Sequence, residues 1–148
     1  MGRLVSFFEL AFANFTIFAI IKSMSKLEFE KFVKIAIRKL PPRFRKAMAS
    51  GNLVIVVQQR PTREQLFKLK LDPVEESLFG LYEGVSLPNR TQGYNMTVPD
   101  KITIFQEPLE AAYPNPLSLK EQVRRTVFHE VAHFFGISDE ELDAMGWG

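Results

Sequence analysis

The two histidines of this 148-residue chain stand four positions apart, inside the stretch Val127 to Asp139, VFHEVAHFFGISD. On an α-helix that spacing puts both imidazoles on one face, where they can grip a single metal ion. A helix with that duty must be held firmly. Its apolar positions Val123, Val127, Phe128, Val131, Ala132, Phe134 and Phe135 are enough to seat it in a core. Glu130 lies between the histidines and can lean toward a water on the metal. Gly136 follows His133 by three residues, and a glycine there can take the left-handed conformation that ends a helix and turns the chain back. Asp139 then arrives where an oxygen ligand would complete the site. It can equally cap a last short helix through Met145, so two roles compete for it.

His129-Glu130-x-x-His133 is the H-E-x-x-H pattern of zinc hydrolases. Two imidazoles, one carboxylate and a water make an open catalytic sphere, whereas a closed structural site takes four protein ligands. The expected centre is one zinc ion held by His129, His133 and Asp139. Glu130 would be general base and then general acid for the zinc-activated water. The plain alternative is a buried core helix with two incidental histidines. The turn glycine and the carboxylate at the right reach argue against it. Tyr82, Arg90 and Tyr94, in or beside a long loop, are the nearest candidates for stabilising an oxyanion. Packing or solvent contact is the competing role for each.

The length suits one domain with a real core. There are no cysteines, which excludes disulfides and thiolate metal sites and fits a reducing compartment, so the expected location is cytoplasmic. Ser25 with Glu28 predicts a capping box for an amphipathic helix that ends at Pro41-Pro42. A short basic helix, Arg43 to Ala49, should follow. The β-branched run Leu53 to Val57 reads as a buried strand. Thr62 can cap a turn of helix through Leu69, and Asp72 to Glu76 begins with a turn signal. Leu78 to Val85 reads as a second strand, with Gly80 and Gly84 marking bends or close backbone approach. Ser86 to Pro99 is a long loop, Lys101 to Phe105 alternates as a third strand, and Glu107 to Ala112 reads as a short helix. Ser118 with Glu121 predicts a capping box for the motif helix, which should run to about Phe135.

The formal charge of +2 hides an asymmetry. Residues 1–70 hold 14 Lys/Arg against 4 Asp/Glu, and residues 71–148 hold 5 against 13. Either the two segments attract each other within one fold, or the first presents a basic face to nucleic acid or anionic lipid. The basic residues are not interleaved with stacking aromatics, so nucleic acid is not the expected partner. Leu4 to Ile21 is apolar and aromatic with one charge, Glu9. Three readings stay open for residues 1–23: an early start with Met24 as initiator, a membrane-associating helix, or a signal sequence. Membrane contact is expected only if that segment is translated. The domain proper is residues 24–148.

Three stretches resemble a known family: LFGLYEGVSLPNR at Leu78–Arg90, PDKITIFQEPLE at Pro99–Glu110, and VFHEVAHFFGISDEELDAMGW at Val127–Trp147. They are similar to the small bacterial single-domain zincin-like proteins, described as zinc metallopeptidases or minimal metalloproteases. The resemblance covers Leu27 to Trp147 and rests most heavily on the extended form H-E-x-x-H-x-x-G-x-x-D. It implies a compact single-domain α+β (α/β) fold, a small mixed sheet packed against the metal-bearing helix and an N-terminal helix. It also implies His129, His133 and Asp139 as zinc ligands and Glu130 as the catalytic carboxylate. The motif is similar to that of metzincins too, with Asp139 in place of a third histidine, but Met145 is too close to the motif to be their methionine turn. Three functions follow as expectations. The first is a zinc metallopeptidase acting on peptides or unfolded segments. The others are a non-catalytic, metal-stabilised binding module and a zinc hydrolase of a non-peptide amide.

Overall fold

The computed structural model describes residues 23–72, 77–94 and 98–147. The segment 1–22, with the three readings made of it, the acidic passage at 73–76 and part of the long loop at 95–97 lie outside the described residues. Among the described residues no helix is long and apolar enough to cross a membrane.

Helix α1 (Lys26–Lys39) begins as its capping box predicts: the Ser25 hydroxyl accepts from the Glu28 backbone N–H, and the Glu28 carboxylate accepts from the Ser25 N–H. Pro41 and Pro42 end it and start α2 (Pro42–Ser50). Strand β1 (Leu53–Gln58) follows, then α3 (Arg63–Lys68), capped by Thr62 with Gln65. Strand β2 (Gly80–Glu83) leads into a 3-10 turn at Leu87–Asn89. Strand β3 (Asp100–Phe105) runs directly into α4 (Gln106–Ala112). The motif helix α5 (Pro116–Phe134) and the short α6 (Asp139–Ala144) complete the chain.

The sheet is mixed, with order β1-β3-β2. β1 runs parallel to β3, Leu53 opposite Asp100, and β2 runs antiparallel to it, Gly80 opposite Ile104. This corrects the reading of Leu53–Val57 as a buried strand. β1 is an edge, and Val54 and Val56 remain 42% and 39% exposed. β3 is the central strand, buried on both faces from Ile102 to Phe105. Side chains alternate between faces along it. Ile102 and Ile104 join Phe29, Val33, Val123, Val127, Val131 and Phe134 in the main core, under α1 and α5. Phe105 points the other way, to Leu66 of α3 and to Leu78 and Leu81. The result is the small mixed sheet against the motif helix and an N-terminal helix that the resemblance implies.

The start of α5 differs from the expected Ser118 cap. Asn115 is the N-cap, its side chain accepting from the Leu117 and Ser118 N–H groups at 2.9 and 3.3 Å, with Pro116 in the first turn. Ser118 lies inside the helix and donates back to the Asn115 carbonyl, and Glu121 pairs with Arg124. An Asn-Pro start suits the helix as well as Ser-x-x-Glu does and captures most of an extra turn. Among the described residues the two oppositely charged segments meet through the Arg60–Glu107 ion pair and through the longer-range attraction of Lys39 to Glu121 and of Lys68 to Glu83.

Candidate metal centre

The site grows out of the end of α5. Its last turn closes with Gly136 at φ +84°, the Gly136 N–H bonding to the His133 carbonyl at 2.9 Å and the Ile137 N–H to the Ala132 carbonyl at 3.0 Å. That is the paired bonding of a glycine-terminated helix. A side chain at 136 would also meet Pro88 at 2.9 Å, so this corner packs closely on the loop after β2. The chain turns and Ser138, not Asp139, caps α6 with Glu141 as its box partner. Asp139 is the first residue of α6, and its carboxylate comes back to the motif helix. Oδ1 lies 3.1 Å from His129 Nε2 and 3.3 Å from His133 Nε2.

Three donors, one from each of His129, His133 and Asp139, lie within 4.8 Å of one another. His133 Nδ1 is 3.0 Å from the Ile137 carbonyl oxygen. A carbonyl only accepts, so Nδ1 carries the proton and Nε2 keeps its lone pair. Burial holds His133 below the ordinary histidine value, which keeps that ring neutral. His133 Nε2 and the Asp139 carboxylate oxygen face each other at 3.3 Å, about the separation of two ligand atoms on one small cation. Two imidazole nitrogens and one carboxylate oxygen, with no thiolate, fit zinc and leave a position open.

Glu130 sits beside this cluster and is 1% exposed. Burial pushes its pKa up from 4.5 to about 7, against the pull of His129. The Tyr82 backbone N–H hydrogen-bonds the carboxylate, while Oε1 is buried with no hydrogen-bond partner. β2 can approach this closely because residue 80 is glycine. A Cβ there would stand 2.8 Å from Glu130 Cγ and 2.9 Å from Oε1. A narrow cleft of about 20 Å³ opens next to Glu130 and His129, bordered by Phe79, Thr126 and Trp147. The larger depression, about 380 Å³ between the end of α2 and Arg90–Tyr94, touches none of the three donors.

Tyr82, Arg90 and Tyr94 are brought together, but not where an oxyanion would need them. All three point at Asp100, which is 1% exposed at the start of β3. Its carboxylate accepts from the Tyr82 hydroxyl at 2.5 Å, the Tyr94 hydroxyl at 2.6 Å and Arg90 Nη2 at 2.7 Å. Arg90 also donates to the Gly51 and Val85 carbonyls and lies over the rings of Tyr94 and Phe134. Burial alone would raise Asp100, and these three donors outweigh it and hold its pKa low. Gly84 leaves the room, since a Cβ there would come within 2.2 Å of Asp100. Sequence reasoning missed Asp100. In the sequence it stands between the long loop and the strand read at Lys101–Phe105, with no local mark of its role.

Residues 50–147 match the family model described as Zincin-like metallopeptidase. No curated protein matches the chain.

Proposed function

The chain belongs to the zincin-like metallopeptidase family, and on that premise we propose that it hydrolyses peptide bonds, in peptides or unfolded protein segments, at a single zinc ion held by His129, His133 and Asp139. The observation that carries this reading is the meeting of three N/O donors within 4.8 Å beside a fully buried carboxylate. When bound, zinc would acidify a water and polarise the scissile carbonyl. Everything else falls to the chain. The Ile137 carbonyl keeps the His133 proton on Nδ1, so that Nε2 can serve as a ligand. The Ser138 cap fixes the first turn of α6 and with it the position of the Asp139 carboxylate. Glu130 Oε1 takes the proton of the attacking water and passes it to the leaving nitrogen. Burial raises this carboxylate above the ordinary 4.5, toward the range in which it can both take and return a proton, and the charge of a bound zinc would pull it back down. Gly80 and the Tyr82 N–H hold that carboxylate on its track. A purely structural metal module has no use for Glu130, which favours an enzyme over a binding module.

Metal content per chain, by elemental analysis of wild type and His133→Ala, tests the centre. About one zinc is expected in the wild type and none in the variant. Zinc-loaded wild type should then cleave members of a peptide library. No zinc in either protein after reconstitution at neutral pH would end the hydrolase reading. Zinc without cleavage of any peptide would leave the metal site and remove the peptidase.

A further inference from the structure

The cations of α1 are arranged rather than scattered. Phe29, Val33, Ala36 and Leu40 are buried on one side of the helix, which packs along α5. Lys31, Lys34 and Arg38 recur at helical spacing on the opposite side, all exposed, with the 63% exposed Leu27 one turn before them. None of the three cations forms an ion pair among the described residues. Arg43, Arg45 and Lys46 of α2 are exposed as well. In sequence, this basic helix directly follows Leu4–Ile21, which holds five phenylalanines and a single charge.

We propose that the face of α1 formed by Leu27, Lys31, Lys34 and Arg38 docks on an anionic lipid bilayer. A row of cations beside an apolar, Phe-rich stretch is the combination that holds a chain at a charged membrane surface. The cations meet the headgroups, and the exposed Leu27 beside them enters the boundary beneath. Nucleic acid would answer the charge but leave the apolar stretch without a role. The aromatics near these cations are engaged in packing: Phe29 is buried, Phe32 is half-buried against the core, and Phe44 packs against Phe128 and Phe135. The stripe faces away from α5, so a bilayer docked on it meets α1 and not the metal centre. The inference stands whether or not the centre is a peptidase.

Co-sedimentation of the full chain with phosphatidylcholine vesicles, with and without phosphatidylglycerol, tests it. Wild type should partition onto the phosphatidylglycerol vesicles and come off as salt rises. The exposed-site variant Lys31→Gln/Lys34→Gln/Arg38→Gln should lose roughly a hundredfold in that partition with an unchanged circular dichroism spectrum. Lys31→Gln and Arg38→Gln alone should lose roughly fivefold each, which keeps the test open should the triple variant misfold. Equal partition onto phosphatidylcholine alone, or an unchanged partition of the variants, would overturn the proposal. So would tighter binding of duplex DNA or RNA than of the charged vesicles.

Discussion

Replacing Glu130 by Gln separates its two contributions. Geometry and volume are nearly kept, so Glu130→Gln should retain its zinc in elemental analysis while peptide turnover falls by about a hundredfold or more. Turnover equal to wild type would remove Glu130 from the mechanism. The same change has an opposite effect on the metal-free protein. The folded pKa of about 7 lies above the ordinary 4.5. Folding therefore favours the protonated form, and stability declines as pH rises from 4.5 through 7. Chelated Glu130→Gln should lack that decline and exceed chelated wild type by about 3 kcal/mol at pH 8 in denaturant unfolding. Parallel stability curves for the two proteins would show that the carboxylate is not strained. Asp139→Ala should weaken zinc at least tenfold in chelator competition, since the cap of α6 is Ser138 and the carboxylate at 139 faces the histidines. Unchanged affinity would strip Asp139 of its ligand role.

At the scale of elements, α6 is short, and its capping box both stabilises it and aims Asp139. Ser138→Ala should cost about 1 kcal/mol in thermal or denaturant unfolding and should also weaken zinc binding. A loss of stability with undiminished zinc affinity would uncouple the two. The elements differ in how far they could be read from the chain. The box at Ser25 and the cap at Thr62 are local chemistry between residues a few positions apart and appear as read, with Gln65 completing a box at Thr62 as well; the H-E-x-x-H-x-x-G-x-x-D spacing is equally local and brings His129, His133 and Asp139 within 4.8 Å of one another. The α5 start was misplaced because two local signals, Asn115-Pro116 and Ser118-x-x-Glu121, overlap and only one can win. Exposure is different in kind. Val54 and Val56 look like core by residue type, and no local pattern says that β1 has a neighbour on one side only. Asp100 was illegible for the same reason: its partners Tyr82, Arg90 and Tyr94 arrive through the fold, and the Gly51 carbonyl is tied in through Arg90.

For the whole molecule, that buried carboxylate joins β2, β3, the loop after β2 and the end of α2. The Asp100 and Arg90 side chains are 1% and 9% exposed. Asp100→Asn should therefore destabilise the protein by about 3 kcal/mol near pH 7, because Arg90 would be left buried without its counter-charge. The folded pKa of Asp100 lies below the ordinary 3.8. Its contribution is complete above that value and is lost as pH falls through the folded one, so the wild-type stability curve should drop steeply in acid and that of Asp100→Asn more gently. Equal acid limbs in pH-resolved denaturant titrations would contradict this. The candidate metal centre is built on the opposite plan. Its donors all lie within the eleven residues from His129 to Asp139. The ring a metal would close there is small, and closing it costs little chain entropy. β1–β3 pairing instead joins Leu53 to Asp100 across the middle of the chain. Metal capture thus need not wait for the sheet. The corner between α5 and α6 that would hold a metal is set by local contacts, whereas covering Glu130 takes the docking of β2, and completing the sheet takes the long-range pairing of β1 with β3.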